Sequence, residues 1–511
     1  MATFPQSLSL SASHTWAAGV VIAGLVTWYL ASNTNEAKAR RAGAVLGPGP
    51  KRALLVGNLF NFPKGRWYEA FTQWAHEYGD LVYIDVAGLP MVILNSLEAI
   101  HELTDKRMNI HSNRPNPTLV CDIMGYSFFL PFLQPDKDFT EQRRLFQKAI
   151  GPRVVHEYDS FVQQGCSELL QRLDGFSGEP LKALVKTVGD VLTRMAYGEY
   201  FFVHHGQEAI QKNVQGLELL SSASAKLWLV DVIPALRYIP AWFPGATFKR
   251  VGNQGRIYAD AIRYWSFDQV KAALSAGITD ESITSKYLDE GGISESTVRD
   301  AMSAMYGAGV DTTTSTLAHF LFCITLYPNW QKRIQGEMDR VLGRGNTPTI
   351  DDIPKLTMLN AFVRETLRWL PVAPLGLPHP SLLHTYSPIP GFVLRDPRIW
   401  GKDSEDFNPN RFLPEHNPSV DELPDVWSIP FGFGRRICPG RHLAQRTLLF
   451  YAAAMLSSYE VLPYEEEHLM PNWPFEDAVI RSVSVRLQSL SLTPVETCIS
   501  LPLHIQATCM K

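Results

Sequence analysis

The sequence predicts a mainly α protein with small β-sheets, an α+β fold formed by one large domain behind an apolar N-terminal helix. Long amphipathic segments with helical periodicity dominate the chain after about residue 139. Short β-type runs are confined to two regions, and no repeat or low-complexity linker divides the 511 residues. Hydrophobic residues make up 45% of the chain, which is enough for one large core.

The composition excludes several classes of protein. With 47 basic and 51 acidic residues the formal net charge is −4, so no basic excess indicates a nucleic-acid partner. Six cysteines in 511 residues are too few for a disulfide scaffold. No Cys-x-x-Cys pair occurs, which disfavours a zinc site of the usual spacing.

The N-terminus predicts a membrane anchor. Residues 1–35 contain no Asp, Glu, Lys or Arg, and the run WAAGVVIAGLVTWYLA within them is almost wholly apolar. A basic cluster follows, which keeps the C-terminal side of a span in the cytoplasm. The predicted organisation is a short lumenal N-terminus at 1–15, a transmembrane helix at 16–36, a basic, proline-rich hinge at 37–52 and a single large domain at 53–511. A cleaved signal peptide is the alternative, but the positive start of such peptides is missing.

Inside the domain, the pattern predicts these elements in order. Two β-type runs, 81–86 and 91–94, form a hairpin, and Asn95 then caps a helix with Glu98 as its capping-box partner. Amphipathic helices are predicted near 140–150, 155–174, 181–198, 206–226, 252–275, 294–327, 328–343 and 357–370, followed by a β- and proline-rich stretch at 371–430 and a last helix at 442–458.

The stretch FGFGRRICPG, residues 431–440, presents one cysteine on a glycine-rich loop. Glycines such as Gly434 and Gly440 let a backbone approach a ligand closely. Backbone N–H groups around Cys438 can stabilise a thiolate, Arg436 can meet an anion, and Phe431 can pack against an apolar ring. A thiolate, a flat apolar body and an anion partner together describe heme bound through cysteine, whereas a lone intracellular cysteine is usually buried and inert.

This string resembles the cytochrome P450 signature F-x-x-G-x-R-x-C-x-G at Phe431, Gly434, Arg436, Cys438 and Gly440. The likeness covers the whole chain, and it is greatest to the microsomal enzymes of fungal secondary metabolism. The resemblance implies the cytochrome P450 fold, in which heme b lies between a long central helix and the cysteine loop. It implies that Cys438 is the axial ligand of the heme iron.

The resemblance assigns roles within the central helix. AGVDTT, residues 308–313, combines small residues with an acid and a hydroxyl. Alone, the string reads as an ordinary polar helix face. In the family it crosses the heme, so Asp311 and Thr312 are expected to supply protons during dioxygen activation, while Ala308 and Gly309 leave room beside the heme.

A second set of residues is expected to support the cofactor. Glu365 and Arg368 share one helix face, which by itself suggests only a surface salt bridge. The resemblance adds Arg411 and makes the three a structural cluster that holds the cysteine loop. It also makes Arg143, Arg436 and His379 partners of the heme carboxylates.

The chain departs from the family pattern at several places, among them Asn410, which replaces the acid of a Pro-Glu-Arg tripeptide before Arg411. Phe139 stands where tryptophan is usual and lacks the indole donor. A strand and an N-x-W type segment are missing between Phe392 and Arg395, as in a trimmed sheet edge or a mis-spliced gene. The tail after about Arg481 matches poorly. The last two regions normally help to line the substrate cavity.

The resemblance implies a heme-thiolate monooxygenase that inserts one oxygen atom of dioxygen into a lipophilic small molecule, such as a terpenoid or polyketide. NADPH-derived electrons are expected through a reductase partner, and the protein is expected in the endoplasmic reticulum membrane with its catalytic domain facing the cytoplasm. Arg435 and Arg441 could dock the reductase or be solvated charges. The segment 239–246 could touch the membrane or simply connect two helices. A heme-thiolate isomerase that needs no dioxygen and a catalytically impaired heme-binding remnant are the alternatives.

Overall fold

The computed structural model describes residues 34–176, 179–278, 280–380, 385–463 and 487–491. Most of the predicted transmembrane helix at 16–36 lies outside these residues, as does most of the tail after Arg481. No helix in the described part of the chain is long and apolar enough to cross a membrane.

The predicted mainly α architecture is confirmed. The long helices are α1 (Trp67–Tyr78), α2 (Lys137–Ile150), α3 (Asp159–Leu173), α4 (Leu181–Tyr197), α5 (Glu199–Ser224), α6 (Thr247–Asp260), α7 (Ser266–Ser275), α8 (Ile283–Glu290), α9 (Glu295–Leu326), α10 (Pro328–Leu342), α11 (Thr357–Trp369) and α12 (Arg441–Ser458). Short α-helices occur at Asn35–Arg41, Leu97–His101, Met108–His111, Leu229–Val232, Pro390–Val393 and Pro397–Trp400, and π-helices at Glu102–Lys106, Thr118–Ile123 and Ala261–Trp265. The 3-10 turns are Tyr126–Phe128, Val155–Tyr158, Pro234–Tyr238, Ile350–Lys355, Pro409–Phe412, Val420–Glu422 and Gly434–Arg436.

Helix α9 is the 32-residue axis of the domain. It begins where the Ser294 hydroxyl accepts a hydrogen bond from the Thr297 backbone N–H at 3.1 Å, which satisfies one of the free N–H groups of the first turn. Helices α2, α4, α5 and α12 all contact it. Because most of its residues are buried, its sequence is apolar on several sides rather than on one stripe.

A four-stranded sheet lies beside the helices, in the order β1-β2-β4-β3. The strands are β1 (Leu81–Val86), β2 (Leu89–Leu94), β3 (His379–Pro380) and β4 (Thr385–Pro388); β5 (Glu460–Pro463) and β6 (Leu487–Ser491) form a separate pair. The predicted hairpin is confirmed, with Leu81 opposite Leu94. Its two-residue turn holds Ala87 at φ 53° and Gly88 at φ 90°, the left-handed conformation that such turns need.

Two local predictions were wrong, and one helix was missed. Ser96, not Asn95, caps the helix after β2, because its hydroxyl accepts from the Ala99 N–H at 3.2 Å while the Asn95 amide donates to the Gly79 carbonyl at 3.1 Å. The stretch 371–430 was predicted to be β-rich. Its described residues contain only β3 and β4 as strands, since its many prolines cannot donate to a sheet ladder. Helix α1 was not predicted at all.

The shortened segment after Phe392 closes compactly. Val393 and Leu394 are fully buried. The Trp400 indole N–H donates to the Val393 carbonyl at 2.8 Å, and the Arg368 guanidinium donates to the Leu394 carbonyl at 2.8 Å. The chain therefore passes directly from the short helix at Pro390–Val393 into the next one without leaving these carbonyl groups unpaired.

Candidate heme site

The cysteine loop is a tight turn in front of α12. The Cys438 backbone N–H donates to the Phe431 carbonyl at 2.7 Å, which closes the loop across seven residues of sequence. Burial raises the pKa of the Cys438 thiol, and the backbone N–H groups of Gly440 and Arg441 with the guanidinium of Arg143 act in the opposite direction. The donors around the sulfur thus favour the thiolate, the form that ligates iron.

The two loop glycines have different neighbours. Gly434 has φ 54°, and a Cβ there would collide with the carbonyl oxygen of Thr104, so it allows two backbone segments to meet. A Cβ at Gly440 would instead lie 3.9 Å from the Cys438 sulfur. Of these two glycines, Gly440 is the one that keeps space beside the thiol, whereas Gly434 is required by the neighbouring chain.

Arg143 and Arg436, the two arginines expected to meet the heme carboxylates, both lie at the cysteine loop. An Arg143 N–H donates to the Ile437 carbonyl at 2.5 Å, next to Cys438. Arg436 donates from Nε to the Ser112 carbonyl at 2.7 Å and from Nη2 to the Leu133 carbonyl at 2.7 Å. These bonds fix both guanidinium groups without neutralising their charge.

Phe139, which stands where the family has tryptophan, still contributes to this region. Its ring is 4% exposed and lies 4.1 Å from the Arg436 guanidinium carbon, within cation–π range. The ring therefore orients Arg436, although it lacks the indole N–H.

His379 lies in β3, 5% exposed, on the same side as these arginines. Its Nδ1 is 2.8 Å from the His111 carbonyl oxygen, and its ring stacks on Tyr386 at 5.4 Å between centroids. Burial together with the charges of Arg114 and Arg436 lowers the pKa of His379 to about 3. The imidazole is accordingly neutral near pH 7.

Arg114 belongs to this cluster but was missed from the sequence. It is 7% exposed and donates from Nη1 to the Leu377 and Pro378 carbonyls, each at 2.8 Å. Burial and the charge of Arg436 lower the pKa of Arg114 to about 9. The stretch SNRP shows only an arginine before a proline, so no local pattern marks this guanidinium as buried.

The three arginines fit the carboxylate groups of heme. Within the described residues, Arg114, Arg143 and Arg436 form no ion pair. Arg114 Nε and Arg436 Nη1 are buried without a hydrogen-bond acceptor. Buried N–H groups and like charges in contact are both costly, and a bound anion would relieve both. Heme carries two carboxylates, and the nearby Cys438 can supply its axial sulfur ligand.

Asp311 and Thr312 lie with Ala308 on the solvent-accessible part of α9, a helix that is otherwise mostly buried. Ala308 is exposed and Asp311 and Thr312 are partly exposed, although the adjacent Gly307 and Val310 are buried. The Thr312 hydroxyl donates to the Ala308 carbonyl at 2.8 Å, the backbonding that threonine makes in a helix. Ala308 and Thr312 thus share one face that opens away from the packed core.

Asp311 is adjacent in sequence but has a distinct environment. Burial, with a smaller contribution from the negative charge of Glu218 on α5, raises the pKa of Asp311 to about 6. A carboxyl group with that pKa exchanges protons readily near neutral pH. Glu218 was not predicted as a site residue, because only the crossing of α5 over α9 brings it near.

Gly309 lies against the neighbouring helix α4. A Cβ at this position would lie 2.7 Å from the Leu192 side chain of α4, so its missing side chain makes room for helix packing. The prediction that Gly309 leaves space for oxygen stays a prediction, and the structure adds a packing reason for the glycine. On α9 the small residue of the accessible face is Ala308.

The Glu365, Arg368 and Arg411 cluster is present and deeply buried. Arg368 donates two hydrogen bonds to the Glu365 carboxylate, at 2.7 and 2.8 Å, and both side chains are 0% exposed. Arg411 Nε lies 3.2 Å from Glu365, and Asp403 pairs with Arg411 at 3.1 Å. The surface-salt-bridge alternative is wrong.

The cluster supports the chain that leads to the cysteine loop. Arg368 also donates to the carbonyl groups of Leu394, Ser404 and Asp406, at 2.8, 2.6 and 2.8 Å. These backbone segments come from the stretch between α11 and the loop. Because the cluster makes bonds to backbone, its role is to hold that stretch in place rather than to do chemistry.

The predicted site residues therefore form three groups, one of which is the Glu365, Arg368 and Arg411 cluster. Cys438, Arg143 and Arg436 meet at the loop, and His379 joins them through Arg436. Asp311, Thr312 and Ala308 lie together on α9, with no hydrogen bond or ion pair to the cysteine loop among the residues described. Helices α2 and α12, which flank the loop, both contact α9 and so set the distance between these groups.

Comparisons with known proteins agree with this arrangement. A family profile described as cytochrome P450 matches residues 47–488. Cytochrome P450 monooxygenase 208 of Postia placenta is 33% identical over 437 residues, covering 81% of this chain and 84% of the relative. Cytochrome P450 monooxygenase COX2 of Coprinopsis cinerea is 28% identical over 505 residues, covering 93% and 91%. Cytochrome P450 monooxygenase ple1 of Rhodocybe pseudopiperita is 30% identical over 466 residues, covering 85% and 87%. The chain thus belongs to the cytochrome P450 family and is a cytochrome P450 monooxygenase.

Proposed function

We propose that this monooxygenase hydroxylates a lipophilic small molecule of fungal secondary metabolism, such as a terpenoid or polyketide, with NADPH-derived electrons delivered by a reductase. The observation that carries its heme-thiolate part is the cluster of three arginines beside the Cys438 loop, which form no ion pair among the described residues and of which two, Arg114 and Arg436, have a buried N–H without an acceptor. The substrate class rests on the fungal relatives and on the exposed aromatic residues Tyr238, Trp242 and Phe243.

When bound, the heme supplies dioxygen activation, which the axial thiolate promotes by donating electron density. The protein's own residues have three tasks in this proposal. Arg114, Arg143 and Arg436 bind and orient the cofactor through its carboxylates. Asp311 takes protons from the solvent side and Thr312 presents a hydroxyl on the accessible face of α9.

A membrane location fits the exposed surface near α6. Tyr238 and Trp242 are 77% and 80% exposed, and Phe243 is 48% exposed. Exposed aromatic side chains of this density are typical of surfaces that contact lipid. Together with the apolar N-terminal run, they support anchoring in the endoplasmic reticulum membrane with the catalytic domain facing the cytoplasm.

Alkaline extraction of membranes that contain the full chain tests the proposed anchor. The protein is expected to stay in the membrane fraction, and its complete release would contradict the anchor.

Reductase docking is proposed for the surface around the cysteine loop. Arg435 is exposed there and donates to the Asn109 side chain at 3.0 Å, whereas Arg441 is partly exposed beside Cys438. Exposed arginines can steer an acidic partner.

The compact closure of the segment after Phe392 argues against the alternative of an impaired remnant, since Val393 and Leu394 are buried and their carbonyl groups are hydrogen-bonded.

The absorption spectrum of the reduced, carbon-monoxide-treated protein tests the proposed heme-thiolate site. A strongly red-shifted Soret band is expected, because thiolate ligation of the iron produces that shift. A protein that retains no heme, or a spectrum without the shift, would overturn the proposal. Turnover without NADPH and dioxygen would instead favour the isomerase alternative.

Asp311→Asn is expected to lower the rate of NADPH-dependent turnover of a screened substrate by about 100-fold, the usual weight of a general acid. In the unmodified protein the rate should fall as the pH rises through about 6, because the protonated form of Asp311 is then lost. The variant should lack this inflection. An unchanged pH profile would remove Asp311 from the proton path.

Glu218→Gln provides the matched control for that profile. The charge of Glu218 raises the pKa of Asp311, so its removal should move the inflection to lower pH while leaving it present. A shift to higher pH would show that another group titrates.

A further inference from the structure

Asn213 is a buried amide without a hydrogen-bond partner. The residue lies on α5 and is 0% exposed. Neither its amide nitrogen nor its amide oxygen forms a hydrogen bond with any described residue, and in the described part of the chain no other side chain has two such atoms. A buried amide of this kind destabilises the folded state unless a partner from outside the chain binds to it.

Asn213 lies within the apolar face of its helix. Leu217 and Leu220 of the same helix are buried on this face. One turn after Asn213, Tyr126 meets α5, and its hydroxyl donates to the Gly216 carbonyl at 3.3 Å. The fold thus satisfies the neighbouring polar group of this interface but leaves the amide of Asn213 unpaired.

The amide points to α9, next to the accessible face of that helix. A Cβ added to Gly307 would lie 3.7 Å from the Asn213 amide oxygen and 3.2 Å from the ring of Phe129. The amide and the end of the ring therefore meet at the same residue of α9. Ala308, the next residue, is exposed and lies on the face that also carries Thr312. The unpaired amide thus lies at the border of the surface that is proposed to meet the substrate.

Phe129 reaches this border with a side chain and not with its backbone. Its ring packs edge to face with Tyr126 at 6.0 Å between centroids and is tilted against Phe132 at 6.4 Å. The residue directly follows the 3-10 turn Tyr126–Phe128 and is 5% exposed. A ring that is held by other rings can change rotamer without breaking a hydrogen bond, so an entering ligand can move it away from the amide.

The chemistry of an amide selects the group that binds to it. The amide nitrogen donates and the amide oxygen accepts, and a hydroxyl group matches both because it can accept and donate. A carboxylate or a ketone only accepts, so it would leave the amide oxygen unpaired, and a hydrocarbon would leave both atoms unpaired. A neutral hydroxyl group on an otherwise apolar molecule is therefore the ligand that fits Asn213.

We propose that Asn213 is a specificity-determining residue that binds a hydroxyl group of the substrate through both atoms of its amide, with Phe129 turning aside as the substrate enters. This inference rests on the proposed monooxygenase function and narrows its substrate to a lipophilic alcohol. The reaction that supplies this substrate must then have introduced an oxygen atom already, by hydroxylation or by capture of water. The enzyme adds a further oxygen atom to a molecule that carries one.

Asn213→Leu tests whether the amide is unpaired in the ligand-free protein. Leucine has nearly the shape of asparagine but no polar atom in its side chain, so the variant should unfold at the same temperature as the unmodified protein or at a higher one. Asn58→Leu is the matched control. Asn58 is also 0% exposed, but it donates to the Pro50 carbonyl at 3.1 Å and accepts from the Asp85 N–H at 2.9 Å.

The control should unfold several degrees below the unmodified protein, because it loses hydrogen bonds and leaves their partners unpaired. Equal losses of thermal stability in the two variants would show that the amide of Asn213 is paired inside the folded protein. That result would overturn the proposal.

Ligand binding tests the preference for a hydroxyl group. The probes are sesquiterpene alcohols, each compared with the hydrocarbon that lacks the hydroxyl, and binding is followed by the shift of the ferric Soret band of the holoprotein. For at least one pair, the unmodified protein should bind the alcohol about tenfold more tightly, the weight of one or two buried hydrogen bonds. Asn213→Leu should bind both members of that pair equally. If no alcohol is preferred, or if the variant keeps the preference, Asn213 does not recognise a hydroxyl group.

The thiolate spectrum of the unmodified protein separates this inference from the proposed function. If the carbon-monoxide complex lacks the red-shifted band, the heme-thiolate function fails. If the band is present and no alcohol is preferred, only the role of Asn213 fails.

Discussion

Cys438→Ala is expected to abolish the red-shifted Soret band of the carbon-monoxide complex and to reduce monooxygenase turnover to the assay background. Alanine cannot ligate iron, and the backbone donors around Cys438 can stabilise a thiolate only where a sulfur is present. The arginines would still attract the heme carboxylates, so the variant should retain part of its heme in a weakly held form. Absorption spectra of the reduced protein with carbon monoxide measure both effects.

Cys166→Ala is the matched control. Cys166 is a buried cysteine of α3, 3% exposed and remote in sequence from the loop. Its loss should cost some stability through the cavity that it leaves, without changing the spectrum. If Cys438→Ala kept the red-shifted band, another sulfur would have to be the ligand, and the assigned site would be wrong.

Glu365→Gln is expected to lower the free energy of unfolding by about 3–5 kcal/mol, because it leaves the buried Arg368 guanidinium without a counter-charge and leaves Arg411 with Asp403 alone. Glu365 and Arg368 are both fully buried, and Arg411 is nearly so. Since Arg368 holds three backbone carbonyls ahead of the cysteine loop, heme retention should fall together with stability. Denaturant unfolding of the holoprotein, followed by fluorescence and Soret absorbance, measures both.

Glu102→Gln makes the same chemical change at an exposed position. Glu102 also pairs with two cations, Lys106 at 3.0 Å and Arg107 at 2.8 Å, but all three side chains are well exposed. Solvent screening should make this variant nearly as stable as the unmodified protein. Similar losses in the two Glu→Gln variants would show that burial of the cluster is not what makes Glu365 important.

The sequence by itself determined the features that depend on neighbours along the chain. Helical periodicity located α9, α11 and α12 to within a residue or two, since each has a continuous amphipathic or apolar pattern. The ten-residue string around Cys438 identified the family, because a loop that must present a thiolate constrains several consecutive positions. Thr312 could be predicted to bond to its own helix for the same local reason.

Only the tertiary structure decided what lies between segments far apart in sequence. Gly309 and Gly434 are both small residues in motifs, and a Cβ at either position would collide with a distant protein segment, at Leu192 and Thr104 respectively. Glu218 influences Asp311 through the crossing of two helices. Arg114 becomes a cofactor candidate through its burial beside Arg436. The physical reason is that burial, charge proximity and side-chain direction depend on packing, and distant segments pack together only when the whole chain has folded.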